Sequence, residues 1–135
     1  MPDFDEAVIE AFRANGGEVG GELSSTPLLL LRTTGAKTGR PRTTPLAYHR
    51  AGDRLYVIAS AGGAPAHPAW YLNLRAHPTV TVEVGVERFD ATATVLEGAE
   101  RDRVFAAIVD RSPMAGSYQA RAGRTIPVIA LDRRR

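Results

Sequence analysis

The sequence predicts a mainly β domain, a mostly antiparallel sheet of about six strands with three short helices at its periphery. Three observations carry that expectation. Two pairs of apolar segments are joined by tight turns, one at Ala51-Gly52-Asp53 and one at Gly85, the pattern of β-hairpins. Helical periodicity is confined to short stretches. No strand–helix–strand alternation runs along the chain, so parallel crossovers are not expected. With 135 residues the chain can build one sizeable core. A sheet of this size hides its edges by curling into a closed or partly split barrel. The expectation is one domain over residues 1–135, with 1–25 as an N-terminal helix and connector.

The elements follow in order. Asp3 or Asp5 can cap a first helix, in which Phe4, Val8 and Phe12 recur at a spacing of four. Gly16 and Gly17 stop it, and residues 16–25 read as a flexible connector. Thr26 to Arg32 is a compact apolar strand. A loop bracketed by Gly35 and Gly39 leads into a strand from Arg42 to Arg50, which pairs through the Ala51–Asp53 turn with Arg54 to Ser60. The run Ala61-Gly62-Gly63-Ala64-Pro65-Ala66 is too small to build core. His67-Pro68 opens a short helix, proline being suited to the first helical position; Trp70, Asn73 and Leu74 share a face, and Pro78 ends it. Thr79 to Val84 and Glu87 to Val95 form the second hairpin. Glu100 to Arg111 is helical, with Val104, Phe105, Ile108 and Val109 inward. Residues 112–123 read as irregular. Thr125 to Leu131 is a final strand, which Pro127 assigns to an edge or a bulge.

Composition narrows the function classes. Seventeen Lys and Arg against 15 Asp and Glu give a net charge of +2, too balanced for a dedicated nucleic-acid binder. There is no cysteine, hence no disulfide framework, thiolate chemistry or Cys-based metal site. His49, His67 and His77 lack metal-ligand spacing and a carboxylate cluster, so no metal is expected. The acidic start Met1-Pro2-Asp3 does not read as a signal peptide, and the longest apolar run, Leu28 to Leu31, is far too short to span a bilayer. The expected setting is the cytoplasm, with at most a weak peripheral contact between the Arg133–Arg135 tail and anionic lipid on the inner membrane face.

Three groups of residues stand out as candidate chemistry. Lys37 is the only lysine, and it sits in Thr33-Thr34-Gly35-Ala36-Lys37-Thr38-Gly39-Arg40-Pro41-Arg42, where no acid falls between Glu22 and Asp53. Such a loop offers backbone N–H groups, hydroxyls such as that of Thr38, and three cations to one anion, with charge-assisted bonds suited to phosphate oxygens. Its glycine spacing, and its place between strands, distinguish it from a Walker A loop. The second group is Ala59-Ser60-Ala61-Gly62-Gly63, at a strand end, small enough for a flat ring to lie against the backbone. The third is Trp70-Tyr71 with Asn73. Trp70 can wall a planar ligand, although burial in the core is the commoner fate of a lone tryptophan. Asn73 must find partners or a ligand if buried. No nucleophile, triad or carboxylate pair accompanies these groups. A place for an anion and a flat ring without an acid, base or nucleophile suits a protein whose chemistry belongs to a bound cofactor.

The segments Leu28 to Gly39, His67-Pro68-Ala69-Trp70-Tyr71-Leu72-Asn73-Leu74 and Arg124-Thr125-Ile126-Pro127-Val128 resemble the deazaflavin-dependent nitroreductase family of actinobacteria, in order from about Phe12 to Leu131. The resemblance implies a split β-barrel of the FMN-binding type that uses coenzyme F-420, an 8-hydroxy-5-deazaflavin. It implies that Lys37 and Arg42, helped by Arg40, hold the cofactor's phosphodiester and acidic tail. Thr44 and Pro45 would line the groove. Ala59, Ser60 and Ala61, with the backbone of Gly62, would meet the ring, and Ser60 would be the donor nearest the reaction. Trp70 and Asn73 would belong to the covering helix, and Tyr118 would close over the acceptor. Some relatives carry Lys where this chain has Ala61, and several Tyr where it has Ser112 to Ser117. Quinone or enone reduction is therefore implied at least as much as nitroreduction. The expected partners are a small-molecule electron acceptor and a second copy of the chain, since split barrels often pair. FMN in the same barrel, or a non-enzymatic deazaflavin carrier, are the alternatives.

Overall fold

The computed structural model describes residues 4–17 and 27–134, with side chains from Glu6 onward. The proposed caps Asp3 and Asp5 and most of the 16–25 connector lie outside that description. Helix α1 spans Phe4–Ala14 and buries Val8 and Phe12. The strands are β1 (Leu28–Thr34), β2 (Pro41–Ala47), β3 (His49–Ala51), β4 (Arg54–Ile58), β5 (Thr79–Val84), β6 (Glu87–Val95) and β7 (Val128–Arg133). Helices α2 (Ala69–Ala76), α3 (Gly98–Arg111) and α4 (Pro113–Ala122) complete the described elements, with a 3-10 turn at Ala61–Gly63.

All seven strands belong to one sheet in the order β2-β1-β5-β6-β7-β4-β3, and every pairing is antiparallel. The two outermost strands, β2 and β3, are consecutive in the chain and separated only by Tyr48. One run of backbone therefore supplies both sheet edges and curls the sheet on itself, which is how the fold hides its edges. The sequence reads this run as one strand from Arg42 to Arg50. In the structure it crosses between the edges at Tyr48, and hence seven strands appear where about six are expected.

Alternation divides the core in two. Leu29 and Leu31 of β1, Leu55 and Val57 of β4, Val80 and Val82 of β5, and Ile129 and Leu131 of β7 point into the barrel, where Trp70, Tyr71 and Leu74 of α2 join them. Val128 and Ala130 face the other way, under Phe105 and Ile108 of α3 and Ala115 and Ala122 of α4. Strand β7 is thus covered on both faces, and residues 128–131 are all buried. This corrects the edge placement: β7 lies between β6 and β4. Pro127 precedes the strand, where its missing N–H costs no ladder bond, and its carbonyl accepts from the Ala59 N–H at 3.0 Å.

Residues 113–122 form a fourth helix where irregular chain is expected. Pro113 starts it and Gly123, at φ 66°, ends it. Its buried stripe of Ala115 and Ala122 is too small to register as amphipathic. Gly116 disguises it further, yet a Cβ there would come within 3.4 Å of Val109, so the glycine sits where α4 packs closely on α3. Helix α2 begins one residue later than expected, with Pro68 in extended conformation at its N-cap.

Candidate functional site

The β1–β2 connection closes on itself. The Gly35 N–H donates to the Arg40 carbonyl at 2.8 Å, and the Gly39 N–H donates to Gly35 O at 2.9 Å. A Cβ on Gly35 would lie 2.5 Å from Thr38 Oγ1 and 3.2 Å from the Arg40 carbonyl oxygen, so any larger residue would displace the Thr38 hydroxyl. The Thr38 hydroxyl accepts from the Arg40 N–H at 3.2 Å. The loop opens on a cavity of about 430 Å³ lined by Lys37, Thr38, Arg40, Arg42, Leu72 and Asn73 among others. That lies within the range of roughly 300–1,000 Å³ usual for small-ligand sites. Arg13, Arg54, Arg101 and Arg133 each bond a carboxylate. Lys37, Arg40 and Arg42 enter no ion pair among the described residues, and all three are exposed. Three cations around one cavity, unpaired among the described residues, give it the electrostatics suited to an anion.

Asn73 holds this loop in place. It is 8% exposed; its Oδ1 accepts from the Ala36 N–H at 3.0 Å, and its Nδ2 donates to Thr33 Oγ1 at 3.2 Å. The buried amide demanded by the sequence thus finds both partners within the chain. Along β2, Arg42 and Thr44 pair with Thr33 and Leu31 and share their inward face, whereas Pro45 pairs with Leu30 on the opposite face. Thr44 and Pro45 lie beyond the cavity lining. Trp70, 6% exposed, belongs to the barrel core beneath α2 and does not line the cavity either.

The small-residue loop lies at the end of β4. Ala59 is fully buried. Ser60 is right-handed (φ −79°, ψ −31°), and Ala61, Gly62 and Gly63 follow at φ 47°, 66° and 87°. Ala61 is the one non-glycine residue described with positive φ. A right-handed residue followed by a left-handed one turns successive N–H groups toward one point, an anion-binding nest. The N–H groups of Ser60, Ala61 and Gly62 and the Ser60 hydroxyl have no hydrogen-bond partner among the described residues, whereas those of Gly63 and Ala64 bond back to Ser60 O and Ala61 O. Helix α4 closes over this loop: the backbone of Tyr118 would stand 3.3 Å from a Cβ on Gly63. The Tyr118 ring packs beside the outer core, with the Arg121 guanidinium 5.6 Å from its centre.

Two arginines not foreseen as site residues secure the loop. Arg124 donates to the carbonyls of Ala59, Ser60 and Ala64 and to His67 Nδ1. Arg121 reaches Gly62 O at 3.3 Å. Gln119 fixes the start of this segment by donating to Arg124 O and accepting from the Ile126 N–H. The sequence signal for Arg124 is only its place in the Arg124–Val128 segment, because its acceptors lie 57 to 65 positions away. Because Arg124 donates to Nδ1, His67 carries its proton on Nε2. Desolvation, then the charges of Arg124 and Arg75, hold His67 below the ordinary imidazole range.

The structure therefore gathers Lys37, Thr38, Arg40, Arg42 and Asn73 at one place and Ser60, Ala61 and Gly62 at another, with α2 between them. A separate cavity of about 230 Å³ beneath α3, lined by His49, Tyr56, Arg103 and Arg111, holds none of these residues.

Comparison with known proteins places the chain in a family. The family model described as F420H(2)-dependent quinone reductase matches residues 6–133. An F420H(2)-dependent quinone reductase of Mycobacterium tuberculosis is 42% identical over 127 residues, covering 91% of this chain and 85% of that protein. A solved F-420-dependent reductase, FDR-A, superposes with a TM-score of 0.72 at 40% identity, covering 78% of this chain and 94% of that one. A second solved chain, described as a domain-swapped dimer, gives a TM-score of 0.74 at 36% identity over 92% of this chain and 91% of its own. The split barrel, the family match across residues 6–133 and these likenesses identify the chain as a member of the F420H(2)-dependent quinone reductase family.

Proposed function

We propose that the protein is an oxidoreductase that transfers a hydride from reduced coenzyme F-420 to a quinone-type acceptor. The observation that carries this reading is the cavity ringed by Lys37, Arg40 and Arg42, three cations without carboxylate partners among the described residues. That donor set fits a phosphodiester and an acidic tail. When bound, the reduced deazaflavin supplies the hydride.

The remaining work falls to this chain. Lys37 and Arg42, with Arg40 and Thr38, hold the anionic tail. Asn73 keeps their loop in shape. Thr44, on the inward face of β2 next to Arg42, would extend the groove, whereas Pro45 on the opposite face would not; Ala59 and Trp70 would form the wall behind the ring. The N–H groups of Ser60, Ala61 and Gly62 and the Ser60 hydroxyl face the oxygen on which negative charge develops as the acceptor is reduced. Preorganised donors of this kind stabilise the transition state more than the ground state. A proton from Tyr118 or from solvent completes the hydroquinone. The acceptor class extends to enones and nitroaromatics, and the functional unit is a homodimer in the cytoplasm. Among the described residues no helix is long and apolar enough to cross a membrane.

The test is a fluorescence titration of purified protein with oxidised coenzyme F-420 and separately with FMN, followed by turnover with a panel of quinones. Binding of the deazaflavin and quinone-dependent oxidation of its reduced form are expected. Preference for FMN would transfer the protein to the flavin branch of the fold, and binding without turnover would make it a carrier.

A further inference from the structure

We infer that Arg124 is a positioning residue for the reaction: it aims the Ser60 and Ala61 N–H groups at the reacting oxygen by holding the carbonyls on the far side of the same peptides. The inference rests on the proposed function.

The geometry comes from peptide planarity. In a trans peptide the C=O and the following N–H point in opposite directions. The carbonyl of Ala59 shares a peptide with the Ser60 N–H, and that of Ser60 shares one with the Ala61 N–H. Arg124 Nη2 donates to both carbonyls, at 3.1 and 3.2 Å. Both N–H groups are therefore turned away from the guanidinium, toward the side on which neither has a partner among the described residues. A cation on the carbonyl also polarises the peptide and strengthens its N–H as a donor. The third donor, Gly62 N–H, shares its peptide with Ala61 O, which the Ala64 N–H holds at 3.2 Å.

Arg124 is held at its other end too. Its Nε donates to Ala64 O at 3.1 Å and its Nη1 to His67 Nδ1 at 2.9 Å. Gly123, at φ 66°, ends α4 one residue earlier and releases the side chain across the loop. Four acceptors thus engage one planar fork, and lysine, a point charge on a flexible stem, cannot reproduce that. The bond to His67 requires a neutral ring. Besides Arg124, the groups set against His67 are Arg75 and the Tyr71 ring, whose centre is 4.7 Å away. Protonation turns Nδ1 into a donor facing a cation. The clamp is therefore intact at neutral pH and loosens as pH falls through a value below the ordinary histidine range.

The experiment compares wild type, Arg124→Lys and His67→Asn. In cofactor-free protein, the amide resonances of Ser60 and Ala61 are followed from pH 8 to 5. In wild type they should shift together with the His67 ring. In His67→Asn, which keeps an acceptor near the Nδ1 position, that acid shift should vanish. With the cofactor, kcat for quinone reduction should fall on the acid side in wild type and lose that limb in His67→Asn. Arg124→Lys should lower kcat about tenfold, roughly 1.4 kcal/mol, with coenzyme affinity changed less than about threefold. Amides that ignore the His67 titration would overturn the inference, and so would an Arg124→Lys enzyme with unchanged kcat. A loss of coenzyme affinity as large as the loss of kcat would make Arg124 a cofactor ligand, which also overturns it. If wild type neither binds coenzyme F-420 nor reduces quinones, the proposed function fails. If it does both and the variants behave as wild type, only the positioning role fails.

Discussion

The two loops of the proposed site are braced in opposite ways. In the Lys37 loop the proposed ligand-binding groups are side chains, and a neutral amide, Asn73, braces the backbone behind them. In the Ser60–Gly63 loop the proposed ligand-binding groups are backbone N–H donors, and the brace is cationic, Arg124 with Arg121. The difference matches what each is proposed to hold. A phosphate-like tail is fully charged in the ground state, so mobile, solvated cations suit it. Charge on a quinone oxygen exists only as the reaction proceeds, so fixed dipoles suit it better. Helix α2 joins the two. His67, just before it, contacts Arg124, while Asn73, about midway along it, contacts Ala36.

The largest effect is expected from removing the neutral brace. Asn73→Leu has nearly the same size but leaves the exposed Ala36 N–H and the buried Thr33 hydroxyl without their partner. The orphaned buried hydroxyl costs about 1–3 kcal/mol and the lost bond to the exposed N–H about 0.5–1.5 kcal/mol. Urea unfolding should show a loss of about 2–4 kcal/mol, together with weaker coenzyme F-420 binding. A variant as stable as wild type would mean that the loop keeps its shape without Asn73.

Next comes the packing of α4 on the second loop. Gly63 has φ 87°, and a Cβ there would meet the backbone of Tyr118 at 3.3 Å. Gly63→Ala combines left-handed strain with displacement of a helix, for a cost of about 2 kcal/mol. A lowered thermal midpoint is expected, with quinone turnover reduced more than coenzyme affinity. Equal losses in both would tie the two loops into one unit and break the contrast.

Lys37→Ala tests the first loop from the ligand side. The ammonium is exposed and unpaired among the described residues, so folding should be almost unaffected and the urea midpoint unchanged. Coenzyme affinity should fall about tenfold, the equivalent of about 1.4 kcal/mol. An unchanged dissociation constant would remove Lys37 from the anion site.

What the sequence reveals divides along the same line. The Lys37 loop is legible because its chemistry is carried by one lysine and two arginines within six positions, next to the bracketing glycines. The two hairpins are legible because turn residues at Gly52 and Gly85 separate alternating segments. Asn73 stands out as a polar residue on a buried face, but its partners at Ala36 and Thr33 lie across the fold. The brace of the second loop is not legible. Arg124 looks like any exposed arginine, and only tertiary structure brings it to carbonyls about sixty positions upstream. Helix α4 is hidden for a related reason: close packing on α3 calls for Ala115 and Gly116, which carry little helical signal. The burial of β7 on both faces depends on that hidden helix, so Pro127 suggests an edge that the fold does not have.

The smallest effect, and the sharpest test of how the second loop is held, is expected at Ala61. A left-handed alanine costs roughly 1–2 kcal/mol in isolation. Glycine would remove that strain, but it also frees the unfolded chain, which offsets about 0.4–1 kcal/mol. Ala61→Gly should therefore change stability by less than about 1 kcal/mol. Its functional effect should be just as small, because Arg124, rather than the Ala61 side chain, sets the direction of the peptide. Ala61→Val restores the strain with a β-branched side chain and should be distinctly less stable than either. Equal quinone turnover in wild type and Ala61→Gly would place the preorganisation in the guanidinium clamp. A clear drop in Ala61→Gly turnover, with stability unchanged, would show that the methyl group itself restrains the loop, and the two loops would then differ less than their braces suggest.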